Sequence, residues 1–67
     1  MPMYQISIHL SGGSSATIKE DAQSIAVIEQ LIKRELALPD PELRIQAPRG
    51  LISVKRELVV GYSVDEV

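Results

Sequence analysis

Tyr4-Gln5-Ile6-Ser7-Ile8-His9-Leu10-Ser11-Gly12-Gly13-Ser14-Ser15-Ala16-Thr17-Ile18-Lys19 admits two readings, and the choice between them decides the fold. Up to Leu10 the period is two. Tyr4, Ile6, Ile8 and Leu10 share one face, and Gln5, Ser7 and His9 share the other, which is strand spacing. Ser11-Gly12-Gly13-Ser14 is a turn signal, because glycine accepts the positive φ that tight hairpin turns require. Beyond it, Ala16 and Ile18 alternate with Thr17 and Lys19, so a return strand completes a hairpin. In the second reading Ser14 caps a helix that begins near Ser15, with Ile18 as its first buried residue. The β-branched Thr17 and Ile18 directly after two glycines favour the hairpin.

Outward from this stretch the period changes to that of a helix. Ile25, Ile28, Ile32 and Leu36 repeat at helical spacing, flanked by Ala22 and Leu31, and predict a helix over about 22–36. Asp21 is the expected cap, with Ser24 as a second candidate. Gln23, Gln30 and Arg34 mark the solvent side, and Val27 points outward against the pattern. Pro39 and Pro41 stop the helix. Alternation returns in Leu43, Ile45 and Ala47. Ala47-Pro48-Arg49-Gly50 reads as a turn, 51–55 as a fourth strand and Arg56-Glu57 as a kink or bulge. A last strand follows, with Leu58, Val60, Tyr62 and Val64 on one face and Val59 on the other, before a frayed 65–67. The expectation is a ββαβββ chain of the α+β class. One five-stranded, mainly antiparallel sheet carries one amphipathic helix on one face.

Composition narrows the function. A chain of 67 residues has room for one domain, residues 1–67, and buries only about 60% of its unfolded surface. Cysteine is absent and histidine occurs once, so disulfides, thiolate metal sites and histidine clusters are excluded; no metal and no cofactor are expected. Oligomerisation is the remaining way to reinforce so small a core, which here has no Phe or Trp. The formal net charge of -2 does not suit a dedicated nucleic-acid binder. No apolar run is long enough to span a bilayer and no signal peptide is apparent, so no membrane partner and a cytoplasmic location are expected.

Three sets of residues carry candidate functions. Val27, Leu51 and Val59 are apolar where the pattern calls for polar residues, which points to a small non-catalytic interaction or assembly module, a homo-oligomer or the accessory of a protein partner. Lys19, Arg44 and Lys55 fall on the polar sheet face near His9, with Arg49 and Arg56 at the strand ends, as a single-stranded nucleic-acid surface would place them. That face has no aromatic residue on which bases could stack. His9 has only Glu20 and Asp21 as nearby acidic residues, Ser11-Gly12-Gly13-Ser14-Ser15 lacks the spacing and lysine of a phosphate loop, and no nucleophile stands beside an evident base.

The third set starts at Met1-Pro2-Met3-Tyr4. With Met1 removed, Pro2 would expose a secondary amine able to act as a general base in an apolar pocket. Together with Leu36-Ala37-Leu38-Pro39 and Leu43-Arg44-Ile45, this start resembles the 4-oxalocrotonate tautomerase family. The resemblance implies Pro2 as catalytic base, Arg44 as substrate-binding residue, and a helix that follows the first strand. It covers roughly the first two thirds of the chain. The chain has Ser11-Gly12-Gly13-Ser14 where the family places a further arginine, and lacks the family's glycine-rich C-terminal hairpin.

Overall fold

A computed structural model describes residues 1–47 and 50–67. The element order is β1 (Met3–Leu10), β2 (Ser15–Asp21), α1 (Ile25–Ala37), β3 (Glu42–Ala47), β4 (Gly50–Lys55), a 3-10 turn (Arg56–Leu58) and β5 (Val59–Glu66). The hairpin reading of 4–19 is therefore the right one. β1 and β2 pair antiparallel from Met3↔Asp21 to His9↔Ser15. The Leu10 N–H donates to the Ser14 carbonyl and the Gly13 N–H to the Leu10 carbonyl. Gly12 and Gly13 take φ values of 93° and 89°, a region that costs an L side chain strain.

The class is α+β as expected, but the five strands do not make one sheet. β2-β1-β5 form a three-stranded sheet, and β3-β4 form a separate two-stranded one. All three pairings are antiparallel. Along the seam between the sheets, a Cβ on Gly50 would lie 3.2 Å from Ile18 Cγ2. The glycine lets the second sheet approach β2 without joining its ladder. The Pro48-Arg49 turn expected between β3 and β4 lies outside the described residues.

The core is aliphatic. Ile6 and Ile8 from β1, Ile28 and Ile32 from α1, Leu43 and Ile45 from β3 and Ile52 from β4 are buried together with Tyr4 and Ala22. The alternation in β1, β3 and β4 matches their burial. Ile28 and Ile32 are the buried residues of α1.

Four expectations are corrected. First, Asp21 ends β2 and does not cap the helix. Ser24 is the N-cap, in extended conformation and without a side-chain cap bond, and the Val27 N–H donates to its carbonyl. Second, Ala22 is buried ahead of the helix, and Ile25 is exposed in the first turn. Third, residues 65–66 belong to β5, and the Val67 N–H donates to the Met3 carbonyl, so this end is tied. Fourth, the face assignment at the start of β5 is reversed. His9 pairs with Gly61 but Leu10 pairs with Val59, which leaves Val60 as the extra residue of a bulge. Val59 packs on the core, whereas Leu58 is exposed and Val60 is 70% exposed.

Arg56 locks the second sheet to the helix. Its guanidinium donates to the carbonyls of Leu36 (2.9 Å), Glu42 (3.3 Å) and Asp40, and its N–H donates to the Pro41 carbonyl. It satisfies a carbonyl at the helix C-terminus, where a cation also meets the negative end of the helix dipole.

Candidate interaction surface

Of the three residues expected at an interface, two stand exposed and one does not. Val27 is 51% exposed and Leu51 is 57% exposed. Val59 is partly buried against the core, because the bulge at Val60 turns its side chain inward. Three shallow grooves relate the other two to each other. One, of about 650 Å³, lies between α1 and the end of β2 and is lined by Val27, Ile28 and Leu31, with Glu20, Asp21 and Arg34 among its polar residues. A second lies between α1 and the β3-β4 sheet and is lined by Leu31, Ile45 and Leu51, with Glu35 and Arg44. A third follows the seam between the sheets, with Ile18, Lys19, Gly50 and Leu51. Leu31 is common to the first pair and Leu51 to the second. Val27, Leu31, Leu51 and Ile18 therefore form one apolar track with charged residues beside it.

The first groove holds one unusual acid. Glu20 Oε2 is buried with no hydrogen-bond partner among the described residues. Burial raises the Glu20 pKa above the ordinary value of 4.5, and the neighbouring Asp21 adds to the rise.

The basic residues are dispersed. Lys19 lies on β2 opposite Gln5, whereas Arg44 and Lys55 lie on the other sheet. Arg44 forms an ion pair with Glu42 at 3.1 Å, and Glu42 sits directly across from Lys55. Arg56 is engaged with backbone carbonyls, and Arg49 lies outside the described residues. Tyr4 is buried and Tyr62 packs against the core, so neither offers a stacking platform on the polar face.

Pro2 is exposed at the head of β1, and its carbonyl accepts from the Ala22 N–H at 3.1 Å. It does not line the groove that Met1 lines. β2 intervenes between β1 and the helix, unlike the arrangement implied by the tautomerase resemblance, and Arg44 is paired with Glu42.

One pair was not readable from the sequence. His9 Nε2 lies 3.1 Å from Ser63 Oγ, while Ser7 and Thr17 share a hydrogen bond of 3.2 Å on the same face. The signal would have been the β1-β5 register, which depends on the bulge. This imidazole and hydroxyl lie on an exposed strand face and line none of the three grooves. Among the described residues no three acidic or histidine side chains are placed to hold a metal ion, and no helix is long and apolar enough to cross a membrane. Comparisons with family models, curated proteins and solved structures returned no match, so the functional reading rests on this geometry.

Proposed function

We propose that this protein is a small non-catalytic interaction module that assembles with further copies of itself and acts in the cytoplasm. The observation that carries the reading is the apolar track through Val27, Leu31, Leu51 and Ile18. Two of its members, Val27 and Leu51, are more than half exposed, and the grooves join them through Leu31 and Ile18, which pack against the core. Covering such a track removes apolar surface from water, which favours association by about 25 cal/mol per Å² before the costs of association. The mixed charges beside it, Glu20, Asp21 and Arg34 at one end and Lys19 and Arg44 at the other, suit a polar rim. A cysteine-free chain is compatible with a reducing compartment.

Sedimentation velocity tests the reading. The parent chain is expected to associate at high micromolar concentration. Val27→Asp and Leu51→Asp, both at exposed positions, are expected to weaken association while leaving the circular dichroism spectrum unchanged. A parent that stays monomeric across the concentration series overturns the proposal.

A further inference from the structure

We infer that the free edge of β5 is a second interaction surface, and that its occupant is the β5 strand of another copy, antiparallel about a two-fold axis at Ser63. The inference rests on the oligomeric reading above but uses different residues.

It starts from which way the backbone groups point. On β1, the Leu10 N–H donates to Ser14, and the Pro2 carbonyl accepts from Ala22. Even-numbered residues of β1 therefore bond toward β2. The Met3 carbonyl accepts from Val67, and the Ser11 N–H donates to Leu58, so odd-numbered residues bond toward β5. Their partners on β5 are Gly61, Ser63 and Asp65. Bonding direction alternates along an antiparallel strand. Past the bulge at Val60, the N–H and C=O groups of Tyr62, Val64 and Glu66 are thus left on the side away from β1, where no strand neighbours β5 among the described residues. No backbone bond to these groups from outside the sheet occurs among the described residues.

Such a row accepts an extended strand, and the other edges are less suited to one. The outer edge of β2 is approached by the second sheet at Gly50. β3 has six residues and carries the Glu42–Arg44 pair. β5 has eight residues and contains neither proline nor lysine.

The row is also self-complementary. A two-fold axis at Ser63 pairs Tyr62 with Val64 of the second copy, and it sets Glu66 across from the bulged Val60. Tyr62 and Val64 both pack toward the core within one protomer, so each aromatic ring would lie beside a β-branched side chain, a favourable cross-strand pair. Asp65 falls opposite Gly61, and no two acids face each other. The product is a continuous six-stranded sheet, β2-β1-β5 followed by its symmetry mate.

The test uses the full chain, whose lack of cysteine means that any disulfide introduced by a single substitution joins two copies. At the axis, the two Ser63 positions form a non-hydrogen-bonded pair with Cα atoms about 4.5 Å apart, inside the roughly 4.4–6.8 Å that a disulfide spans. Ser63→Cys is expected to cross-link under mild oxidation at least roughly tenfold faster than Lys33→Cys, an exposed control on α1 that lines none of the three grooves. Charge gives a second readout. Val60→Glu places acids opposite Glu66 twice per dimer and is expected to raise the dissociation constant roughly fivefold, whereas Val60→Lys lowers it or leaves it unchanged. Association of the parent with equal cross-linking at Ser63 and Lys33 overturns the β5 pairing and leaves the proposed function standing. Equal effects of Glu and Lys at Val60 overturn it as well. A monomeric parent overturns both.

Discussion

The two hairpins of this molecule are built from similar alternating sequences and are held in place differently. β1 of the first hairpin is hydrogen-bonded on both sides, to β2 and β5, and its end is tied by the Ala22–Pro2 and Val67–Met3 bonds. The β3-β4 hairpin is bonded along one edge only, strand to strand. A two-stranded ribbon by itself is marginal in water. This one is retained by side chains: Leu43, Ile45 and Ile52 enter the common core, and Arg56 joins the ribbon to the helix end. Each hairpin is therefore vulnerable at a different place. The first should respond mainly to changes in its turn, and the second to loss of packing and of one guanidinium.

The largest effect should come from the packing that holds the ribbon. Ile45→Ala and Ile32→Ala each remove a buried branched side chain and are expected to cost about 2–5 kcal/mol in denaturant melts. Arg34→Ala, on the exposed face of the same helix, should cost less than about 0.5 kcal/mol. In Ile45→Ala, hydrogen exchange should quicken at β3 and β4 before it does at β1. Uniform loss of protection would show that the two sheets unfold as one and erase the contrast.

Arg56→Ala comes next. It deletes three charge-assisted bonds to the carbonyls of Leu36, Asp40 and Glu42. The expected loss in urea denaturation is roughly 1.5–3 kcal/mol, the range for a hydrogen bond to a charged group, because the exposed Asp40 and Glu42 carbonyls recover water while the part-buried Leu36 carbonyl loses its donor. Arg56→Lys should recover only part of it, since one ammonium cannot reach three carbonyls in the planar fork that a guanidinium supplies. Full recovery by lysine would reduce the clamp to simple charge at a helix end.

The first hairpin should be sensitive at its turn. Gly13 has φ +89° and open space where a Cβ would go, so Gly13→Ala tests backbone conformation alone. A loss of about 1–2 kcal/mol is expected by thermal melting. No loss would mean that the turn relaxes to another conformation without disturbing β1 and β2.

What was legible in the sequence was what depends on local periodicity. The alternation of Ile6 and Ile8, of Leu43 and Ile45, and the helical spacing of Ile28 and Ile32 each predicted burial correctly, because a side chain's face follows from its position in the repeat. Val27 and Leu51 were legible as exposed apolar residues for the same reason. Contacts between distant elements were not legible. A single bulged residue at Val60 reversed the face of Val59, since strand period two turns any one-residue insertion into a change of side. The break between β2 and β4 was not legible because alternation carries no record of which strands pair. The Arg56 clamp and the His9–Ser63 contact join residues far apart in the chain.

The smallest expected effect is at Glu20, where the first sheet meets the groove. Its buried Oε2 has no partner among the described residues, and burial, with help from Asp21, holds its pKa above 4.5. An acid whose pKa is higher in the folded than in the unfolded chain binds its proton more tightly when folded. Glu20 therefore contributes stability that is fully present below the ordinary carboxylate range and is lost as pH rises through its folded pKa. Glu20→Gln keeps the shape and removes the charge. The variant should melt at the same temperature as the parent or slightly higher at pH 7, with the difference shrinking as the pH falls through the carboxylate range and the parent carboxyl takes up its proton. A variant less stable than the parent at pH 7 but not below the carboxylate range would mean that the carboxylate is held by a cation. In the groove Arg34 is the cation at hand, and the first sheet would then be tied to the helix by charge, much as Arg56 ties the second.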